Sequence, residues 1–381
     1  MVLAIFSSLA GLVKLKLAHT NIDSSVFRLH YQLTTSVLFI ACALVAASEY
    51  IGDPIQCTDG GLPVIKPINT YCWITSTFTI NTTTGLGNHA GHHEQTYHAY
   101  YQWVPFVLFF MGCLFYVPHL VWKSWEAKTV QLLLQGLHRH TMDPDIVQKR
   151  DNIVKYMKVS KNTRGCNFKY GIPYIFCEFL NLVNVIGQII LLDAFFGGAY
   201  MTYGTDVLGY IIDETDDDPF RNVFPKVTKC TYKSFGPSGT ITVKQPLCIL
   251  PQNILNEKVF VILWFWFVIL ATITSIRLVY LLVISFAPSL RVHVLEQRGK
   301  LESSHLMEKS IQRLSLGDFC LLSILVKNLD AITFRDVLKD SILSDDPNAN
   351  GAYRHLEPDE EDPAERKKRM EMEMEEDETS I

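Results

Sequence analysis

Four cysteines lie where they could form disulfides in pairs. Cys57 and Cys72 fall in one polar stretch, and Cys230 and Cys248 fall in another. Thiols form stable disulfides on the oxidising side of a membrane and stay reduced in the cytosol. The four can therefore pair fully only if both stretches face outward, and three connectivities then remain open. The other five cysteines are expected to stay reduced: Cys42, Cys113, Cys166, Cys177 and Cys320.

The remaining polar clusters form no catalytic or metal-binding pattern. The chain has no phosphate-binding loop, no G-x-S-x-G and no H-E-x-x-H sequence. The four histidines between 89 and 98 lack a carboxylate or cysteine at ligand spacing. They are interpreted as solvated, with pH or metal sensing as the alternative. The acidic run 213–218 lacks the glycine and final glutamate of a calcium loop. With a net charge of -5 and no basic stripe, the sequence predicts no enzyme, cofactor, bound metal or nucleic-acid partner.

The apolar residues gather in long blocks, which is typical of a membrane protein. They make up 48% of the 381 residues. A helix needs about 20 apolar residues to cross a bilayer, and four blocks are that long. The predicted spans are 26–49, 100–122, 174–197 and 258–284. No basic residue precedes the apolar start of the chain, so residues 1–25 are expected to be retained rather than cleaved as a signal peptide.

Basic residues set the predicted orientation. Segment 123–173 carries ten Lys and Arg residues, whereas 50–99 carries only Lys66. Because basic loops stay in the cytoplasm, 123–173 is predicted to be cytoplasmic, and four spans then place both termini there. The loops 50–99 and 198–257, which hold the paired cysteines, are predicted to lie outside. The second of them carries five basic residues, but long loops translocate regardless of charge.

The segments outside the spans have distinct compositions. Amphipathic patterns in 123–173 and 285–344 predict helices that together form a cytoplasmic dome. Residues 345–381 are dense in charge and are predicted to be an acidic disordered tail. The chain ends in Thr379-Ser380-Ile381, a pattern that PDZ domains bind by strand addition. Asn81 begins the only N-glycosylation sequon of the predicted outer loops.

The first span is the least uniformly apolar of the four. Thr34 and Thr35 lie in its cytoplasmic half, and polar residues there fit the wall of a water-filled pore. They are therefore predicted to line it, with helix packing through threonine hydroxyls as the alternative. Glu178 and Arg277 are charges inside spans, where such residues usually face a partner or water. Arg277 is expected at the cytoplasmic interface.

The start of the second span carries a family resemblance. Tyr100-Tyr101-Gln102-Trp103-Val104 resembles the signature of the innexins, the invertebrate gap-junction proteins. Two cysteines in each outer loop are similar to innexins and differ from connexins, which have three. Further segments resemble the family in the same order, and the resemblance extends to about residue 340; these segments are 51–57, 67–74, 235–239, 253–258 and 316–319.

The resemblance implies a fold and a disulfide connectivity. The fold is an all-α membrane protein with four transmembrane helices, two disulfide-linked extracellular loops and a helical cytoplasmic dome. In the family the cysteines bond between the two loops, which would pair Cys57 with Cys248 and Cys72 with Cys230. The N-terminal segment 1–25 would fold into the pore mouth.

The same resemblance implies a function. Innexins form rings of like or mixed innexin subunits, and the resemblance implies an octameric ring. Each ring docks to a second ring in the adjacent cell. The chain is therefore expected in the plasma membrane at gap junctions, where it passes ions and small solutes by passive diffusion. In that arrangement Met1, Val2 and Leu3 would line the pore.

Two other functions are considered. The first is a non-junctional hemichannel that releases small solutes, as in the related pannexins, and a glycan on Asn81 would favour it by obstructing docking. The second is a non-conducting adhesion scaffold of the tetraspanin kind. Tetraspanins carry a Cys-Cys-Gly sequence in their large loop, and this chain has none.

Overall fold

The computed structural model divides into two compact units. One comprises Met1–Lys128 with Lys169–Phe286, and the other comprises Thr129–Phe168 with Ala287–Ile381. The residues that the structure describes are 21–59, 62–63, 66–80, 95–134, 150–157, 159, 170–213, 219–236, 238–299, 314–329 and 331–343.

The first unit contains four helices that are long and apolar enough to cross a membrane. They run over Ser25–Ile51, Tyr100–Glu126, Ile172–Phe195 and Gln252–Phe286. The shortest has 24 residues, and at a rise of about 1.5 Å per residue it exceeds the hydrocarbon thickness of about 30 Å. The predicted four-span membrane fold is confirmed. We call these helices the first to fourth spans.

The four spans share one apolar core. Leu38 and Val45 of the first span, Leu108 and Phe115 of the second and Phe267 of the fourth are fully buried in it. Gly112 permits a close approach of the first and second spans, because a Cβ there would lie 2.8 Å from the ring of Phe39. The outward faces of the spans are apolar as well, which suits helices that contact lipid.

The fourth span begins earlier than its apolar block predicts. It starts at Gln252 instead of 258 and includes polar residues that are buried nevertheless. The amide of Gln252 donates to the carbonyl of Val45 at 3.1 Å, and that of Asn253 donates to Pro225 at 2.8 Å. Burying a side-chain amide costs little free energy when it is hydrogen-bonded in this way. The helix can therefore begin in a polar segment whose composition is typical of a loop.

Short strands occupy the two loops that hold the paired cysteines. Each strand has only two to four residues, which is too short to be predicted from the sequence pattern. The first loop also contains the helix Lys66–Thr75, and the second contains the helices Tyr203–Asp213 and Pro219–Val223. The strands are β1 Gln56–Asp59, β2 Leu62–Pro63, β3 Thr77–Ile80, β4 Gln95–His98, β5 Val227–Lys229, β6 Tyr232–Phe235, β7 Ile241–Lys244 and β8 Leu247–Ile249.

The second unit is helical in its described parts, as the amphipathic patterns predict. Its helices are Thr129–Leu133, residues 150–157, Pro288–Gly299, Leu316–Leu325 and Ala331–Leu343. Ser315 and Asp318 form a capping box at the start of Leu316–Leu325: the Ser315 hydroxyl accepts from the Asp318 amide, and the Asp318 carboxylate accepts from the Ser315 amide. This explains an acidic residue in an otherwise apolar helix.

A buried polar network joins the start of the first span to the third and fourth spans. The hydroxyl of Ser24 accepts from the amide of Phe27 and donates to Glu178 at 2.8 Å. The hydroxyl of Tyr174 also donates to Glu178, at 3.1 Å. Arg277 lies 3.8 Å from the same carboxylate oxygen and donates to Tyr174 at 3.3 Å. Arg277 therefore faces a partner within the unit, and its side chain is only 18% exposed.

Replacing Arg277 by methionine is expected to destabilise the protein by about 3 kcal/mol, because it leaves the buried Glu178 carboxylate without its counter-charge. Thermal unfolding of the full chain in detergent measures the effect. The double variant Glu178→Gln/Arg277→Met should recover part of the loss. Arg28→Met is the matched control, since Arg28 is exposed and its side chain bonds, within the described part of the chain, to Gln32 and Asn21. An Arg277→Met transition as high as that of the control would contradict the role of the pair.

Candidate functional site: the disulfide-linked domain

Two disulfides join the loops. Cys57 bonds to Cys248 and Cys72 bonds to Cys230, across 191 and 158 residues. This is the pairing that the family resemblance implies, one of the three that the sequence leaves open. All four cysteines are buried. The sulfurs of Cys57, Cys72 and Cys248 lie close together, but disulfide sulfur is not a thiolate and does not serve as a metal ligand.

The strands of the two loops are interleaved in one sheet. Its order is β2-β1-β8-β5-β3-β4, and every pairing is antiparallel. Strands β5 and β8 come from the second loop and lie between strands of the first. Cys57 on β1 is directly opposite Cys248 on β8, so the disulfide reinforces the strand pairing. We call this sheet, with strands β6 and β7 and helix Lys66–Thr75, the disulfide domain.

The family motif at 100–104 attaches the disulfide domain to the second span. Residues Tyr100–Trp103 form one tight helical turn immediately before the long helix that starts at Val104. The ring of Tyr101 is buried at 4.5 Å from the ring of Trp73, close to Cys72. The amide of Gln102 donates to the carbonyls of Trp73 and Ile74. These contacts hold the helix that carries Cys72 against the end of the span.

The other motif residues face the end of the third span, the second loop, the core of the spans and the surface. The ring of Tyr100 lies 5.4 Å from that of Phe196 and 5.9 Å from that of Phe224. Val104 is fully buried in the core of the spans. Trp103 is mostly exposed and contacts Phe106. The motif is therefore mainly a packing element, which explains its aromatic character.

The start of the fourth span holds the second loop. The carboxylate of Glu257 is buried and pairs with Lys226 at 2.8 Å and with Lys258 at 2.7 Å. Ser48, near the end of the first span, donates to the side chain of Gln252 at 2.7 Å. These residues were not predicted as site residues from the sequence. Their polarity before an apolar block was the available signal.

Of the histidines near the second span, His98 lies within the described residues. Its Nε2 is 2.9 Å from the hydroxyl of Thr79 on the paired strand. Burial lowers the pKa of His98, because desolvation disfavours the charged imidazolium. His98 thus has a structural partner instead of being solvated. His89, His92 and His93 lie outside the described residues.

The two threonines predicted to line the pore lie inside the unit. Thr34 accepts a hydrogen bond from the indole of Trp266 at 2.9 Å and donates to the carbonyl of Leu29. Thr35 is buried near the carbonyl of Gly112. A side chain buried within one subunit does not line a pore enclosed by several, so the prediction is corrected to the alternative of helix packing.

Other predicted site residues lie outside the described part of the chain. These are Met1, Val2 and Leu3 of the N-terminal segment, the sequon at Asn81, and the tail residues Thr379, Ser380 and Ile381.

Replacing Cys57 by serine is expected to remove the first disulfide and leave the second. Mass spectrometry of an unreduced chymotryptic digest, in which cleavage after Tyr71 separates Cys57 from Cys72, should show Cys57 linked to Cys248 in the unaltered protein, and only the Cys72–Cys230 link in the variant. Loss of one native disulfide should lower the free energy of unfolding by about 2–5 kcal/mol. Cys113→Ser is the control, because Cys113 is free and exposed. A peptide joining Cys57 to Cys72 would contradict the assignment.

Comparisons with known proteins agree with this architecture. The family model described as Innexin matches residues 23–343. The chain is 42% identical to Innexin inx3 of Drosophila melanogaster, over 89% of each chain. It is 41% identical to Innexin inx2 of the same species, over 88% of this chain and 94% of the relative. It is 37% identical to Innexin shaking-B of that species, over 89% of this chain and 94% of the relative. A family match over most of the chain, carried by relatives of similar length, shows that the chain belongs to the innexin family.

Proposed function

We propose that this innexin is a subunit of a gap-junction channel that passes ions and small solutes between cells by passive diffusion. The observation that carries the proposal is the family match together with a disulfide domain built from both loops. Innexins are channel proteins and not enzymes, so the role of this chain is to form a pore and not to catalyse a reaction. Family membership favours this function over the hemichannel and the adhesion scaffold.

We place the disulfide domain on the outside of the plasma membrane and both termini in the cytoplasm. Two observations support this orientation. The loops joined by disulfides require an oxidising compartment, and segment 123–173 has ten basic residues that favour the cytoplasmic side. The helical second unit would then form the cytoplasmic dome. Protease protection of a tag at either terminus, in sealed vesicles whose cytoplasmic face is turned outward, would contradict this placement.

The channel is an oligomer with other innexins, and we propose an octameric ring surrounded by lipid. The resemblance to the family supports the octamer, and the apolar outward faces of the spans support lipid contact. The mass of the purified ring in detergent decides the subunit number. A ring of another size would reject the octamer without affecting the channel function.

Two further proposals rest on sequence patterns. We propose that Thr379-Ser380-Ile381 binds a PDZ scaffold, and loss of capture by Ile381→Ala tests this. We propose that Asn81 is glycosylated, and a shift in gel mobility after glycosidase treatment tests that. Equal capture by Ile381→Ala, or an unchanged mobility, would reject the respective proposal.

We propose that residues 1–25 form the pore mouth, with Met1, Val2 and Leu3 on its wall. The support from the structure is the fixed position of the residues at the end of this segment. Asp23 accepts from the hydroxyl of Tyr31 at 2.8 Å, and Ser24 is bonded to Glu178. These hydrogen bonds fix the residues from which the proposed pore mouth extends.

Deleting residues 2–13 is expected to change the unit conductance or its voltage dependence while junctional plaques still form. The reason is that the deletion removes the proposed pore mouth but none of the described core. Single-channel recording together with fluorescence imaging of plaques measures both effects. Unchanged currents would reject the pore-mouth role.

Paired cells that each express the chain should show junctional current, and Cys57→Ser should abolish it because the disulfide domain loses one of its two covalent links. Cys113→Ser should conduct as the unaltered chain does. Current in single cells without junctional current would support the hemichannel instead. No current in either would support the adhesion scaffold.

A further inference from the structure

The second loop begins with a turn that packs back against the ends of two spans. The third span ends at Phe195, and the carboxylate of Asp193 accepts from the amides of Tyr200 at 3.0 Å and Met201 at 2.8 Å. The hydroxyl of Tyr200 donates to the carbonyl of Phe260 on the fourth span at 3.1 Å. The turn is therefore held against both the third and the fourth spans.

The turn leads into the helix Tyr203–Asp213, which we call the loop helix. Its start contacts Trp264 of the fourth span. The indole of Trp264 donates to the carbonyl of Met201 at 3.2 Å. Gly204 lies so close to the same ring that a Cβ there would overlap it. The absence of a side chain at Gly204 thus lets the loop helix start directly beside the fourth span.

The contact with Trp264 sets the depth of the loop helix in the membrane. Lys258 is 65% exposed, and no charged residue follows it in the fourth span until Arg277. Because an exposed ammonium group stays out of the hydrocarbon, Lys258 marks the level of the lipid headgroups. Trp264 comes six positions later, which is about 9 Å deeper along the helix. Helices that lie on a membrane bury their apolar side by about 5–10 Å, which is the depth found here.

The loop helix separates its apolar and polar side chains around its axis. One side packs into the core of the spans through Val207. Another side continues from Gly204 at helical spacing, and Asp206 lies opposite it and is exposed. We call the side that continues from Gly204 the apolar stripe. Its members are Leu208, Ile211 and Ile212, which are 41%, 65% and 73% exposed.

The position of the apolar stripe indicates what covers it. The stripe joins the fourth span at Trp264, and the exposed side chains of that span nearby are apolar, as at Ile262 and Ile269. Large apolar side chains without a charge, at the depth of the boundary between headgroups and acyl chains, suit contact with lipid. The charged Asp206 lies on the other side of the helix, where it does not enter this contact.

We propose that the loop helix is a membrane-surface helix whose apolar stripe contacts phospholipid acyl chains beside the fourth span. With the orientation proposed above, the lipid belongs to the outer leaflet. The contact would tie the second loop to the bilayer, in addition to the disulfides that tie it to the first loop.

The test uses a benzophenone amino acid, which replaces Ile212 in one variant of the full chain and Asp206 in another. Each variant is reconstituted into phosphatidylcholine vesicles in which part of the lipid carries an alkyne on an acyl chain. After illumination, a dye is attached to the alkyne. Light-dependent labelling of the chain is expected to be about tenfold stronger from position 212, because only that side of the helix meets acyl chains.

Two outcomes of this comparison would overturn the proposal. Equal labelling from positions 212 and 206 would mean that the stripe has no preferred contact with lipid. Covalent dimers of the chain from position 212, in place of lipid adducts, would mean that a second copy covers the stripe.

A second comparison adds a charge to the stripe of the variant that carries the probe at Ile212. Leu208→Glu is expected to lower lipid labelling several-fold, because a carboxylate is costly to bring against acyl chains. Gly209→Glu is the matched control, since Gly209 lies on the side of Asp206 and a Cβ there meets nothing within 4 Å. An unreduced digest that shows both disulfides confirms that each variant is folded. Equal labelling of two folded variants would contradict the proposal.

The outcome for the lipid contact is separable from that for the channel function. Strong lipid labelling from position 212, in a chain that passes no junctional current between paired cells, leaves the contact standing and rejects the proposed function. Junctional current without lipid labelling rejects the contact alone.

Discussion

The two disulfides are the constraint on which the rest of the first unit depends. One loop connects the first and second spans, and the other connects the third and fourth. Bonds from Cys57 to Cys248 and from Cys72 to Cys230 therefore tie the neighbouring ends of all four spans to one body. The interleaved sheet adds hydrogen bonds to the same connection, because β5 and β8 lie between strands of the first loop. Without these links, each loop would be ordered only at its two ends.

The disulfide domain contacts the ends of the spans through polar and aromatic side chains. Tyr101 and Gln102 hold the helix that carries Cys72, and Gln252 reaches the carbonyl of Val45. Glu257 fixes the base of the second loop through two lysines. Since these contacts join the loops to the ends of the spans, and the first span to the fourth, a displacement of one span would shift the disulfide domain. The innexin motif thus acts as a joint between membrane and loop.

Long-range patterns could be predicted from the sequence, and local side-chain partners could not. Four apolar blocks give four spans because a bilayer needs about 20 apolar residues in each. The strands could not be predicted because they are short and are stabilised by partners far away in the sequence. One example is β1, in which Cys57 pairs with Cys248 of β8. Thr34 could serve either a pore or a helix contact, and only the position of Trp266 decides between them. Gln252 resembles a loop residue until its buried partner on the first span is known.

The interleaving of the sheet imposes an order on biosynthesis. Cys57 and Cys72 emerge from the ribosome 191 and 158 residues before their partners. At a synthesis rate of about 5–20 residues per second, Cys72 waits about 8–30 s for Cys230. Throughout that interval the nearest available thiol is the other cysteine of the same loop, and short loops close fastest. Maturation therefore depends on protection of these thiols or on disulfide exchange after the fourth span is inserted, which makes an oxidoreductase a natural requirement of the folding pathway.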